Sequence, residues 1–180
     1  YLGRAWIVLQ PMLDSAVYVL VFGVILNLSR NIDYFIGYLV IGVVFFNFLT
    51  RGLTSGSGLI QSSKGMISSF SFPKAALPLS LTVKQLLDNV APAIVALLIA
   101  FLYHGLTPSF AILTVPVLFV MIHLFALGAM LIIARITAFV PDLKALVSTF
   151  ARGLFFISGV FFDFHRFDGD ETLQSIMLAN

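Results

Sequence analysis

Three side chains that could carry protons lie inside long apolar runs: Asp14, Asp88 and His123, with Asn89 beside the second. Ionisable groups so placed are costly in hydrocarbon, and proteins use them as relays, as ligands or as bonds between helices. Two readings stand. In one, Asp14, Asp88 and His123 form the proton path of a secondary transporter. In the other, Lys84 pairs with Asp88 across one helical turn and His123 bonds a neighbouring helix. No covalent or hydrolytic constellation accompanies them. The three His are far apart, cysteine is absent, and neither a P-loop nor a carboxylate pair spaced for hydrolysis occurs. His165, between Asp163 and Asp168, reads as a solvated acidic turn, so no metal site is expected.

The elements that must position these groups follow from composition. Of 180 residues, 60% are hydrophobic and 10% charged, with a mean hydropathy of +1.07. Soluble domains carry roughly 25% charged residues, and so few charges could not cover a surface in water. An ordinary globular enzyme is excluded. The net charge is +2, and the ten Lys and Arg are scattered singly, without the stripe that nucleic acid requires. A helix crosses hydrocarbon with about 20 mainly apolar residues. Five stretches qualify, near 6–28, 34–53, 77–103, 111–133 and 143–162. The fold class is therefore all-α integral membrane, one domain over 1–180 with about five spans. Pro11, Pro78 and Pro92 predict bends in spans one and three. The opening Tyr1-Leu2-Gly3-Arg4 lacks an initiator Met and a basic leader, and reads as interior sequence rather than a signal peptide.

Orientation follows from the cations. With alternating spans, Arg4, Arg51, Lys64, Lys74, Lys84, Arg135, Lys144 and Arg152 fall on or toward one side, and Arg30 and Arg166 on the other. The positive-inside rule then puts the amino end in the cytoplasm and predicts a sixth span beyond Asn180. Arg152 falls inside span five, where it must snorkel or mark a later helix start. The connections at 29–33 and 104–110 are short, whereas the cytoplasmic loop over 54–76 is long. That loop is polar and glycine-rich, yet carries Leu59, Ile60, Met66 and Ile67, the pattern of a short helix along a surface. Pro73 and Pro78 flank Lys74 just before span three, and Pro73 is expected to end the surface segment and start the next helix.

Two segments carry a resemblance. Gly3-Arg4-Ala5-Trp6-Ile7-Val8-Leu9-Gln10-Pro11-Met12-Leu13 resembles the Gly-x-x-Trp-x-x-Leu-x-Pro-Leu-Leu opening of permease subunits of polysaccharide and teichoic-acid ABC exporters (ABC-2 type). Phe72-Pro73-Lys74-Ala75-Ala76-Leu77-Pro78-Leu79-Ser80 resembles the same family's Phe-Pro-Arg-x-x-Leu-Pro-Leu run before its third span. The likeness extends in order along the chain. It departs from the family at Val140-Pro141-Asp142-Leu143, where Pro141 stands for the arginine of Arg-Asp-Leu, and at Ser158-Gly159-Val160, where Ser-Pro-Ile is usual.

The resemblance implies a type V exporter of polysaccharide or lipid-linked glycan in the bacterial inner membrane, six-spanning when complete. Two copies would form the pathway, and separate ATPase subunits would bind the ATP and Mg, leaving this chain without cofactor or enzymatic activity. The cytoplasmic loop would carry a coupling helix around 59–74. Its apolar knobs and charges would be Ile60, Lys64, Met66, Ile67, Phe70, Phe72, Pro73 and Lys74. Residues 163–180 would gate the outer mouth. Sugar rings stack on aromatic planes, so Trp6, Tyr18, Phe22, Phe45, Phe46, Phe155, Phe156 and Phe161 are candidates to line a glycan path, or else ordinary lipid-facing and interfacial aromatics. An exporter of a drug or lipid with the same fold is the nearest alternative, and the proton-coupled transporter the more distant one.

Overall fold

The computed structural model describes residues 3–25, 34–104 and 110–158. A single 3-10 turn, Gly3–Ala5, leads into α1 (Trp6–Tyr18), which widens into a π-helical stretch over Val19–Ile25. Helix α2 covers Phe35–Gly56, the short α3 and α4 cover Leu59–Ser62 and Lys64–Ser69, and α5 covers Ala76–His104. A 3-10 turn at Phe110–Leu113 precedes α6 (Thr114–Phe139), and α7 covers Leu143–Ile157. Strands are absent among the described residues.

Four of these segments are long and apolar enough to cross a bilayer: Trp6–Gly23, Phe35–Gly56, Ala76–Tyr103 and Thr114–Phe139. The fifth expected span is described only as α7. At 15 residues and 1.5 Å per residue, it measures about 22 Å, short of the roughly 30 Å hydrocarbon core. Residues 159–162 of that span lie outside the described residues, as do the expected outer gate at 163–180 and Phe161.

The prolines act differently in and around α1 and α5. Pro11 and Pro92 lie inside α1 and α5 and are buried. Each lacks an N–H and so frees the carbonyl four residues earlier, at Ile7 and Asp88. In α1 the Ser15 hydroxyl donates to the Pro11 carbonyl at 2.7 Å, and the helix passes into its π-helical turns four residues later. Helix α5 runs unbroken through Pro92. Pro73 does not begin α5, contrary to the sequence expectation. Its carbonyl instead closes a turn with the Ala76 N–H at 2.9 Å, and the helix starts at Ala76. Pro78 is the proline that occupies the first turn, where a missing N–H costs nothing.

Helix α2 is the hub, packing on α1, α5, α6 and α7. Its residues at four-residue spacing serve two cores. Phe35, Leu39 and Val43 bury against Phe155 of α7, with Tyr18, Val19 and Phe22 alongside. One position on, Val40, Val44 and Phe48 bury against Ala93 and Ala96 of α5, with Phe119 and Ile122 of α6 alongside. The outer faces of α5 and α6 remain apolar and exposed, with Leu87, Ile94 and Leu98 on one and Leu118, Phe125 and Ile132 on the other. That distribution suits lipid as the surrounding solvent.

Candidate functional site

The C-terminal third of α2 meets α6 along small residues. A Cβ placed on Gly52 would lie 2.6 Å from the Ala126 Cβ. One on Gly56 would lie 2.8 Å from Met130 Cγ and 3.0 Å from the Met130 carbonyl oxygen. Only glycine allows that approach, and the Gly-x-x-x-Gly spacing, which straddles the expected end of span two at 53, is the sequence signal for it. The Gln85 side chain adds a bond from α5, its Nε2 donating to Ser55 Oγ at 2.9 Å.

The loop is tied to the same helix. Gly58 adopts a left-handed φ of 79° just past the end of α2, a conformation that favours glycine. Its N–H donates to Thr137 Oγ1 at 3.1 Å, and Gln61 Nε2 donates to the Thr137 carbonyl at 3.2 Å. Thr137 is fully buried and also donates its hydroxyl to the Ile133 carbonyl at 2.8 Å. Neither Thr137 nor Gln61 stands out in the sequence, because a single Thr near a helix end carries no pattern. α3 is thereby fixed to the end of α6, before α4 projects away.

The eight loop positions divide accordingly. Ile60 turns inward, lining a groove of about 590 Å³ with Lys74, Pro78, Leu131, Arg135 and Phe139. On α4, Lys64 and Met66 are exposed and Ile67 is half-buried, and Phe70, just past the helix end, is exposed at 67%. Phe72 is half-buried and Pro73 exposed in the stretch leading to α5.

The candidate aromatics fall into two sets. Tyr18, Phe46, Phe155 and Phe156 meet where α1, α2 and α7 converge: Phe155 lies 5.0 Å from Tyr18, 5.1 Å from Phe46 and 5.7 Å from Phe156, ring centre to ring centre. Phe22 joins through Tyr18 at 6.2 Å. Phe45 belongs instead with Phe48 (5.4 Å) and Phe119 (6.3 Å), in the core between α2 and α6. Trp6 is half-exposed at the start of α1.

His123 and Asn89 are the buried polar pair of the bundle, 2% and 3% exposed. His123 Nδ1 lies 2.7 Å from the Phe119 carbonyl, which can only accept, so Nδ1 carries the proton. Nε2 then accepts from Asn89 Nδ2 at 3.0 Å, joining α6 to α5. The ring is thus an interhelical bond, packed on Phe119 at 4.5 Å and on Phe48 at 5.8 Å. Neither nitrogen meets a carboxylate, and Asp14 and Asp88 lie half-buried elsewhere on α1 and α5. Among the described residues, Lys84 and Asp88 form no ion pair, although they share a helix face.

Comparison with known proteins supplies the context. No family profile matches the chain. It is 28% identical over 179 residues to the O-antigen export system permease protein RfbA of Myxococcus xanthus, covering 99% of this chain and 67% of that protein. It is 22% identical over 162 residues to the protein of the same name from Klebsiella pneumoniae, covering 89% of this chain and 61% of that one. The chain thus spans about two thirds of the length of these relatives. It is a homologue of O-antigen export permeases, in keeping with the polysaccharide-exporter family that its opening and its Phe-Pro-Lys run resemble.

Proposed function

We propose that the chain is the membrane-spanning part of a permease subunit that exports a polysaccharide or lipid-linked glycan across the bacterial inner membrane, driven by ATP hydrolysis on a partner. The observation that carries this reading is the relationship to O-antigen export permeases over 99% of the chain. The proposed assembly is type V, six-spanning when complete, with two copies of the permease and two ATPase subunits. ATP and Mg would be bound by the ATPase, and the amino end would lie in the cytoplasm.

The geometry of the cytoplasmic loop supports a coupling role. Met66 of α4 and Phe70 just past its end offer apolar side chains to a partner, flanked by Lys64. Inward of them, α3 is hydrogen-bonded to the end of α6 and α2 is close-packed on that same helix. A push on α4 would therefore move α2 and α6 as one body, since close-packed seams transmit displacement rather than absorb it. The His123 ring is bonded to Asn89 and to the Phe119 carbonyl and reaches neither Asp14 nor Asp88, which does not favour a proton path through those three residues.

The test is capture of the candidate ATPase by the complete permease, compared with Ile67→Asp and Phe70→Asp. Wild type retaining the ATPase, with at least a tenfold loss in the variants, supports the coupling assignment. An ATPase that never copurifies under gentle conditions, or that binds all three proteins equally, rejects it.

A further inference from the structure

The groove of about 590 Å³ lies where α3, the start of α5 and the end of α6 come together. Lys74, just before α5, and Arg135 of α6 are its only charged lining residues among those described, and every other lining residue is apolar. No acidic side chain balances the two cations there. Both are exposed. The apolar lining is also bare on α6, where Ile132 is 61% and Phe139 79% exposed.

The helix face that ends in Arg135 fixes what surrounds it. Val117, Met121, Leu124, Gly128 and Leu131 precede Arg135 at alternating spacings of four and three, and all are exposed. A Cβ placed on Gly128 would meet nothing within 4 Å, so the strip is open there as well. From Val117 to Arg135 is about 27 Å of helix, close to the roughly 30 Å of the hydrocarbon core. Arg135 thus stands at the edge of the hydrocarbon, with a bare apolar strip across the bilayer on its own face. An acidic protein segment would match the two cations but not that strip. A phospholipid matches both. Arginine's planar fork takes phosphate oxygens in pairs, and lysine adds a point charge. The volume lies within the roughly 300–1,000 Å³ of small-molecule sites.

We propose that Lys74 and Arg135 hold the headgroup of an anionic phospholipid of the surrounding bilayer, its acyl chains lying along Leu131, Phe139 and the strip on α6. The site ties the outer face of α5 and α6 to the charge of the membrane. Each basic residue near a membrane surface favours an anionic lipid by about fivefold, so the pair favours it by roughly twentyfold. The inference needs of the proposed function only that α5 and α6 cross a bilayer. Lipid binding is read without transport, so its failure would leave the exporter reading standing.

The experiment uses the full-length permease in neutral detergent, with a diazirine-bearing phosphatidylglycerol as probe and mass spectrometry to locate the labelled peptides. Dioleoylphosphatidylglycerol and zwitterionic dioleoylphosphatidylcholine serve as competitors. Label should fall within 74–78 and 131–139, and phosphatidylglycerol should compete at least tenfold better than phosphatidylcholine. Lys74→Gln/Arg135→Gln should abolish that preference, Lys74→Gln alone should lower it about threefold or more, and Lys74→Arg/Arg135→Lys should keep it. Lys64→Gln, on α4 outside the groove, should behave as wild type. Equal competition by the two lipids in wild type, an unchanged preference in the double Gln variant, or label confined to other helices overturns the proposal. So does a double Gln variant that keeps the lipid preference and loses ATPase capture, which would make the groove a docking surface for an acidic protein segment.

Discussion

The two sides of α2 are built from opposite materials. Toward α6 it presents Gly52 and Gly56, bringing side chains and backbone of the two helices close together. Toward α7 it presents Phe46, Asn47, Thr50, Arg51 and Thr54, which leave a groove of about 470 Å³. In lipid there is no hydrophobic force to pull helices together, so contact depends on shape and on hydrogen bonds. Small residues give a seam that cannot slide without loss of packing, while bulky and polar ones leave a groove. One helix is thus close-packed on one side and open on the other.

The comparison predicts an ordering of substitutions, read by thermal unfolding in detergent. Gly56→Leu should be the most damaging. Its side chain must displace Met130 and its backbone carbonyl, an overpacking cost of about 1–3 kcal/mol or more, with loss of the folded protein as the extreme. Phe155→Leu, on the open side, keeps an apolar group of reduced volume beside Tyr18 and Phe46. Its expected cost is smaller, about 1 kcal/mol, because the groove can relax around it. If Phe155→Leu proved the more destabilising, the contrast between a rigid and an open side would fail. Thr137→Val should cost about as much as Phe155→Leu, roughly 0.5–1.5 kcal/mol for the lost bond from the Gly58 N–H. It sharpens the comparison in another way: with α3 released from α6, ATPase capture should persist while ATPase-driven export falls. Export unchanged in Thr137→Val would show that the loop does not act through α6.

The sequence carried the broad plan because hydrocarbon length and apolar composition are local properties. The runs at 34–53 and 77–103 correspond closely to α2 at Phe35–Gly56 and α5 at Ala76–His104. Helix ends were less legible. The expected fourth span stops at 133, whereas α6 continues to Phe139 through Arg135 and Thr137. A hydropathy window closes where polar residues begin, but a helix continues as long as its backbone bonds are made. Gly52 and Gly56 likewise lower helix propensity by about 1 kcal/mol each, and contact with α6 offsets that loss.

What the residues fixed by themselves is a bundle of apolar helices, a long basic loop between two of them, and a resemblance strong enough to anticipate the relatives. All of these depend on composition, spacing and motif along one dimension. Only the tertiary structure decided which partners meet. It separated Phe45 from Phe46, adjacent in sequence, into different aromatic clusters. It also joined Asn89 to His123 and Gly58 to Thr137 across 34 and 79 positions. The physical reason is that successive helix positions are rotated by about 100°, so neighbours in the chain face different helices, and which helix they face is set by packing between helices rather than within them.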